Sequence, residues 1–151
     1  MARTPNKRAA PRLTDEDYAA LGAFRHALRK FMAFSEAGAR SHGLTSQQHQ
    51  ALLAIRTHPG PEPMSIGELA ECLLIKNHSA VGLVGRLQDR GLVARRVSAG
   101  DRRRVLLEIT AEAERMLASI SRDNLAELKS SAETFRILLA ALRDIDERNA
   151  G

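Results

Sequence analysis

Residues 64 to 110 constrain the fold of this chain most, because two short helices and a ribbon are written there in a fixed order. Ser65 and Glu68 stand in capping-box spacing ahead of Ile66-Gly67-Glu68-Leu69-Ala70-Glu71-Cys72-Leu73, and Met64 with Leu69 can staple that helix start. A tight connection at Leu74-Ile75 leads into a helix-compatible stretch from Lys76 to Arg90. Beyond it come two strand-like halves, Leu92 to Val97 and Val105 to Ile109, joined by Ser98-Ala99-Gly100-Asp101-Arg102-Arg103-Arg104. Helix, turn, helix and arginine-tipped ribbon in this order predict a winged helix-turn-helix, a unit that sets one helix into a groove of duplex DNA.

The flanks predict helices. Thr14 can cap a helix whose first turn carries Asp15, Glu16 and Asp17, with Leu13 against Tyr18 as a staple. Leu21, Phe24, Leu28 and Phe31 keep helical spacing, Phe34 extends the stripe, and Gly43 suits the exit. Thr45 and Gln48 open the next helix as a second capping box, and His58-Pro59-Gly60-Pro61-Glu62-Pro63 ends it as a rigid loop. Thr110 starts a long helix after the ribbon, and Ser130 with Glu133 marks a fresh start before Phe135, Leu138, Leu139, Leu142 and Ile145. The expected organisation is a flexible basic arm over 1–12 and one mainly α domain over 13–151. Within that domain 44–110 forms the winged unit, and 13–43 and 110–148 supply dimerisation helices. Such helices gain little stability from propensity alone and need a partner face, which a second copy of the chain can provide.

Charge points the same way. From Lys76 to Arg104 eight basic residues stand against two acidic ones, a net +6, whereas from Val105 onward six stand against nine, a net −3. The positive field therefore belongs to the groove-reading unit, as phosphate binding requires. Aromatic residues are too few (3%) to build stacking platforms for single strands. No apolar run approaches a membrane span and no apolar signal segment opens the chain, so a cytoplasmic, membrane-free protein is expected. Its single cysteine, Cys72, rules out an internal disulfide and, lying among apolar neighbours, is expected to be a small core residue. No histidine pair has metal-ligand spacing, no phosphate loop or nucleophile elbow occurs, and neither a metal site nor catalysis is expected.

In the second helix of the unit, Val81, Val84 and Leu87 are expected to face inward with Leu83 nearby. That leaves Lys76, Asn77, His78, Ser79, Gly82 and Arg86 for the major groove. Asn77 can pair with adenine, and Lys76 or Arg86 can reach guanine or phosphate. Gly82 and Gly85 cost roughly 1 kcal/mol each inside a helix, which close approach to the DNA backbone at Gly82 or tight packing against a neighbouring helix at Gly85 would explain. In the ribbon, Arg102 and Arg103 project past the strand ends towards a minor groove, while Asp101 accepts hydrogen bonds from turn amides or an arginine and fixes the shape.

Taken together, Leu44-Thr45-Ser46-Gln47-Gln48, Gly67 to Leu73, Val81 to Leu87, Gly91-Leu92-Val93 and Asp101-Arg102-Arg103 with Leu107-Glu108-Ile109-Thr110 resemble the multiple-antibiotic-resistance regulator (MarR) family of bacterial transcription factors. The resemblance implies a homodimer, built from the first and last two helices, on a pseudo-palindromic operator. It further implies the helix from Lys76 in the major groove, Arg103 in the minor groove and Asp101 as support of the wing. It also implies repression relieved by a small lipophilic or phenolic ligand or by an oxidant. The chain departs from the family where a serine and a proline often open the reading helix. Here Lys76 and Asn77 stand, and Asn77 is expected to cap a helix starting one residue later. Two other functions use the same features: a DNA-architectural protein without sequence preference, and a winged-helix module that binds protein.

Overall fold

The computed structural model describes residues 13–150, the side chains of residues 142 and 144–150 excepted, so the basic arm at 1–12 lies outside the described residues. Six helices and two strands follow in the order α1 (Asp15–Ser41), α2 (Ser46–Arg56), α3 (Ile66–Cys72), α4 (Asn77–Asp89), β1 (Val93–Val97), β2 (Val105–Ile109), α5 (Ala111–Ser130) and α6 (Ala132–Ala150). They divide into two compact units, one of residues 33–127 and one of the chain up to Met32 together with residues from Leu128 on. Among the described residues, no helix is long and apolar enough to cross a membrane.

The helix starts in the larger unit come from local chemistry. Thr45 accepts from the Gln48 N–H at 3.1 Å while Gln48 Oε1 accepts from the Thr45 N–H at 3.0 Å. Ser65 and Glu68 do the same at 3.3 and 2.7 Å. Each cap satisfies backbone donors that a helix end otherwise leaves open, and is worth about 1 kcal/mol. The ends are equally specific. Three helices close with the paired 6→1 and 5→2 backbone bonds of a Schellman motif, at Gly43 (φ +72°), Leu74 (φ +56°) and Gly91 (φ +68°). Two of these left-handed positions carry glycine. The third, in the turn between α3 and α4, carries a leucine whose side chain is 93% exposed.

The core of this unit gathers Leu44, Leu52, Leu69, Leu83, Leu87 and Leu107, with Ile120 of α5 against it. β1 and β2 pair antiparallel, Val93 opposite Ile109 through Val97 opposite Val105. The segment before α3 adds a stub to β2: Ser65 bridges Leu106, and Met64 O accepts from the Leu107 N–H at 2.8 Å. Thr110 then caps α5 through the Ala113 N–H and ties its own hydroxyl to Gly91 O.

In the smaller unit, Thr14 and Asp17 exchange backbone-to-side-chain hydrogen bonds at the start of α1. Phe24 and Phe135 meet edge to face with ring centroids 6.4 Å apart. The junction between α5 and α6 falls at Ser131, whose carbonyl accepts from the Phe135 N–H, one residue after the start expected at Ser130.

Cys72 departs from expectation: it is exposed. In α3 the inward positions are Leu69 and Ala70, and Cys72 falls outside the arc they define.

Candidate nucleic-acid interface

Helix α4 buries Ala80, Leu83, Val84 and Leu87, the i, i+3, i+4, i+7 stripe of one helix face. Val81 is therefore not inward. One residue on from Ala80 it turns roughly 100° off the stripe, and its side chain is 42% exposed. Lys76, Asn77, His78, Ser79 and Arg86 are exposed with it, and Gly82 is half-buried among them. The cap expectation also fails. Lys76 occupies the N-cap position, Asn77 is the first helical residue, and no side chain caps the helix. Asn77 thus stays exposed at the helix start with its amide uncommitted to a cap.

The ribbon tip is folded by its own backbone. Ser98 N–H donates to Arg104 O and Arg104 N–H to Asp101 O, both at 3.0 Å. Asp101 Oδ1 accepts from the Arg103 N–H at 2.9 Å, which ties the carboxylate to the turn. Arg102 and Arg103 are exposed beyond it.

The eight cations from Lys76 to Arg104 fall into two groups. Arg90 donates to Gly43 O at 2.7 Å and to Gln48 Oε1 at 3.2 Å, closing the end of α1. Arg96 pairs with Glu108 at 3.1 Å across the ribbon. Arg104 reaches back to Glu62 at 3.4 Å and Glu68 at 3.3 Å. The Ser65 N–H first, the Ser65 hydroxyl second and then Arg104 hold the Glu68 carboxyl below its ordinary range. Lys76, Arg86, Arg95, Arg102 and Arg103 are exposed and make no ion pair among the described residues.

Arg95 and Glu62 are the residues that sequence reasoning passed over. Arg95 lies on β1, and its guanidinium comes within 3.7 Å of where a Cβ would sit on Gly85 of α4. A Cβ there would make only ordinary contact, and the neighbour is the ribbon rather than the helix expected to pack at Gly85. Glu62 carried a signal, a lone acid between prolines near a basic unit, although its partners lie 36 and 42 residues away.

Between α4 and the wing lies a cleft of about 330 Å³. Asn77 and Val81 line one side, Arg103, Arg104 and Val105 the other, and Ser65, Ile66 and Gly67 complete it. The structure thus brings Asn77 and Arg103 to one cavity, while Gly82 and Arg86 lie further along the exposed face of α4.

An exposed helix face, a tight turn behind it and an arginine-tipped ribbon beside it define a winged helix-turn-helix protein. A family model described as MarR family matches residues 42–104. The crystal structure of the MarR family transcription regulator SP03579 superposes with a TM-score of 0.71 at 26% identity, covering 90% of this chain and 89% of that one. Transcriptional regulator HosA of Escherichia coli is 34% identical over 76 residues, 50% of this chain and 54% of that protein. The transcriptional activatory protein BadR of Rhodopseudomonas palustris is 36% identical over 70 residues, 46% of this chain and 40% of that protein. Over residues 42–104 the chain is similar to the MarR family, and its fold is that of MarR-family structures. Its match spans about half the length of these curated relatives.

Proposed function

We propose that this protein is a cytoplasmic transcriptional regulator that binds a pseudo-palindromic operator as a homodimer and represses, a small lipophilic or phenolic effector releasing it. One observation carries the reading: five uncommitted cations lie on the exposed face of α4 and on the wing, with a cleft between the two. In this reading α4 enters the major groove and the wing the adjacent minor groove, so the sugar-phosphate strand dividing the grooves crosses the cleft. Asn77, His78, Ser79 and Val81 then face base edges, the last suited to a thymine methyl. Lys76, Arg86, Arg95 and Arg102 meet phosphates, Gly82 leaves room for the backbone, and Arg103 enters the minor groove with Asp101 behind it. Two protomers would read half-sites about 34–36 Å apart. The exposed apolar residues of α1 and α6 support self-association.

The relative named as an activatory protein favours a second reading on sign alone, in which the same docked dimer would activate from a site upstream of a promoter. A reporter assay with the site placed on either side of the promoter separates the two.

The deciding experiment is a salt series of binding to DNA upstream of its own gene and to the best duplex recovered by in vitro selection, each against random duplex. A regulator prefers its site by at least about 10³-fold. Each phosphate charge neutralised contributes about −0.9 to the slope of log K against log salt, so the four phosphate-facing cations with Arg103 as a charge equivalent give roughly −4 to −5 per protomer, about twice that for the dimer. Arg103→Ala is expected to weaken binding and reduce that slope by about 1. Equal affinity for all duplexes points to an architectural protein, and no salt-sensitive binding to a protein-interaction module. A panel of phenolic and lipophilic compounds that leaves the complex intact removes the effector from the reading.

A further inference from the structure

We propose that Glu62 positions the wing, acting through Ser98 as a strut between the proline-rich loop and the ribbon tip, so that Arg103 is held in place before DNA arrives. The inference rests on the DNA-binding reading above.

Ser98 is a buried polar side chain, 3% exposed, at the root of the tip. Its hydroxyl donates to Glu62 Oε1 at 3.3 Å and accepts from the Gly100 N–H at 3.3 Å. The other oxygen of Glu62 faces Arg104 Nη1 at 3.4 Å, and the Arg104 backbone closes the turn through Asp101 O. One carboxylate therefore reaches both ends of the seven-residue tip, Ser98 and Arg104. From there hydrogen bonds run on to Gly100, Asp101 and the Arg103 amide.

The arm that presents Glu62 is stiff. Pro61 and Pro63 fix their own φ angles and disfavour helical backbone at Gly60 and Glu62 before them. Two residues after Glu62 the loop is anchored, where Met64 O accepts from the Leu107 N–H and Ser65 bridges Leu106. A rigid arm fixed to the strand base and touching the tip can set the tip's angle.

Electrostatics alone argues against an acid here. A carboxylate beside the cations of a DNA-binding surface repels phosphate, and an exposed ion pair contributes little stability. Glu68 is accounted for by its capping box; Glu62 caps nothing. What it supplies is preorganisation, lowering the ordering cost of the wing at binding.

The sign of one substitution decides the matter. If Glu62 only repels, Glu62→Ala tightens binding to the duplex recovered by in vitro selection. If it positions the wing, Glu62→Ala weakens binding about tenfold, the equivalent of about 1.4 kcal/mol. Glu62→Gln, which keeps an acceptor for Ser98, retains most of the affinity. The loss shrinks towards nothing on an Arg103→Ala background, because the strut acts through that arginine. Amide exchange in the free protein is expected to quicken at Gly100 and Arg103 in Glu62→Ala, with α4 unchanged. Unchanged or tighter binding by Glu62→Ala, where the wild type binds well, overturns the inference; so does an equal loss on both backgrounds. If the wild type binds no duplex with salt sensitivity, the DNA reading falls and Arg103 loses its role. Unchanged exchange at Gly100 and Arg103 then removes the strut as well.

Discussion

In the unit of residues 33–127, Leu52, Leu69, Leu83, Leu87 and Ile120 are sealed from solvent, whereas in the other unit Leu21, Leu28, Met32, Ile137 and Leu139 stay substantially exposed. Both units are built of capped helices with apolar residues at helical spacing. The difference is what the stripes face. In the larger unit, short helices pack on each other and on the ribbon, so one stripe closes another. In the smaller, long helices keep much of their apolar side uncovered within the chain. A helical pattern in sequence thus specifies a helix and a sticky face, and says nothing by itself of whether the face is satisfied by the same molecule.

The largest expected effect lies in the sealed unit. Leu87→Ala should cost about 2–5 kcal/mol, the transfer and cavity terms of a buried leucine, and the loss should be the same at every protein concentration. Chemical denaturation at two concentrations tests this; a concentration-dependent loss would mean the core of residues 33–127 is completed by another chain. Next comes the exposed face. Leu21→Glu with Leu28→Glu should weaken self-association by about a hundredfold, roughly 2.7 kcal/mol, while the ribbon amides keep their protection from exchange. Sedimentation at micromolar concentration reads the first and hydrogen exchange the second. Unaltered association would show that these leucines are not what the proposed dimer buries.

The same contrast explains which features were legible in the sequence. The capping boxes at Thr45 and Ser65 were, because their two members lie three residues apart and need no tertiary partner. The ribbon was, because alternation and a turn-forming tip are local. Three consecutive arginines were not distinguishable: Arg104 is tied down and Arg102 and Arg103 are free only because Glu62 and Glu68 arrive from 42 and 36 residues away. Val81 and Cys72 failed for a related reason. Each is an apolar residue next to buried ones, and which side of a short helix faces the core depends on where its neighbours pack. Asn77 failed as a cap because capping depends on backbone angles at Lys76 that composition does not reveal.

Acid acts on the larger unit through two groups of different range. His49 of α2 is buried, its Nε2 has no hydrogen-bond partner among the described residues, and burial lowers its pKa from the ordinary 6.5. The imidazolium would need an acceptor at both nitrogens, so the folded state favours the neutral ring. The unfolded chain then takes up the proton first. Stability is expected to be whole above pH 6.5 and to decline as pH falls below it. Glu68 works on a lower range: its depressed pKa gives stability that is present above the ordinary carboxylate value of 4.5 and lost as pH falls through the folded value. Denaturation of wild type and His49→Gln between pH 7.5 and 5.5 (about one unit either side of the imidazole value) separates them. A slope that survives in His49→Gln would put the mild-acid step elsewhere.

The smallest expected effect concerns Leu74, the left-handed helix closure among the described residues that carries no glycine. Leu74 adopts φ +56° in the turn between α3 and α4, where Gly43 and Gly91 serve the equivalent positions of α1 and α4. A left-handed residue with a Cβ costs roughly 1–2 kcal/mol, and glycine returns part of that gain through its freer unfolded chain. Because the Leu74 side chain is 93% exposed, almost no packing is lost with it. Leu74→Gly should therefore stabilise the larger unit by about 0.5–1 kcal/mol, read as a higher denaturation midpoint at unchanged slope. DNA affinity should stay the same, since glycine adopts the same left-handed φ and leaves the start of α4 at Lys76 and Asn77 in place. A stabilised variant that binds DNA less well would break that expectation. It would mean that the leucine is held in a strained conformation because its exposed side chain makes a contact of its own in the complex.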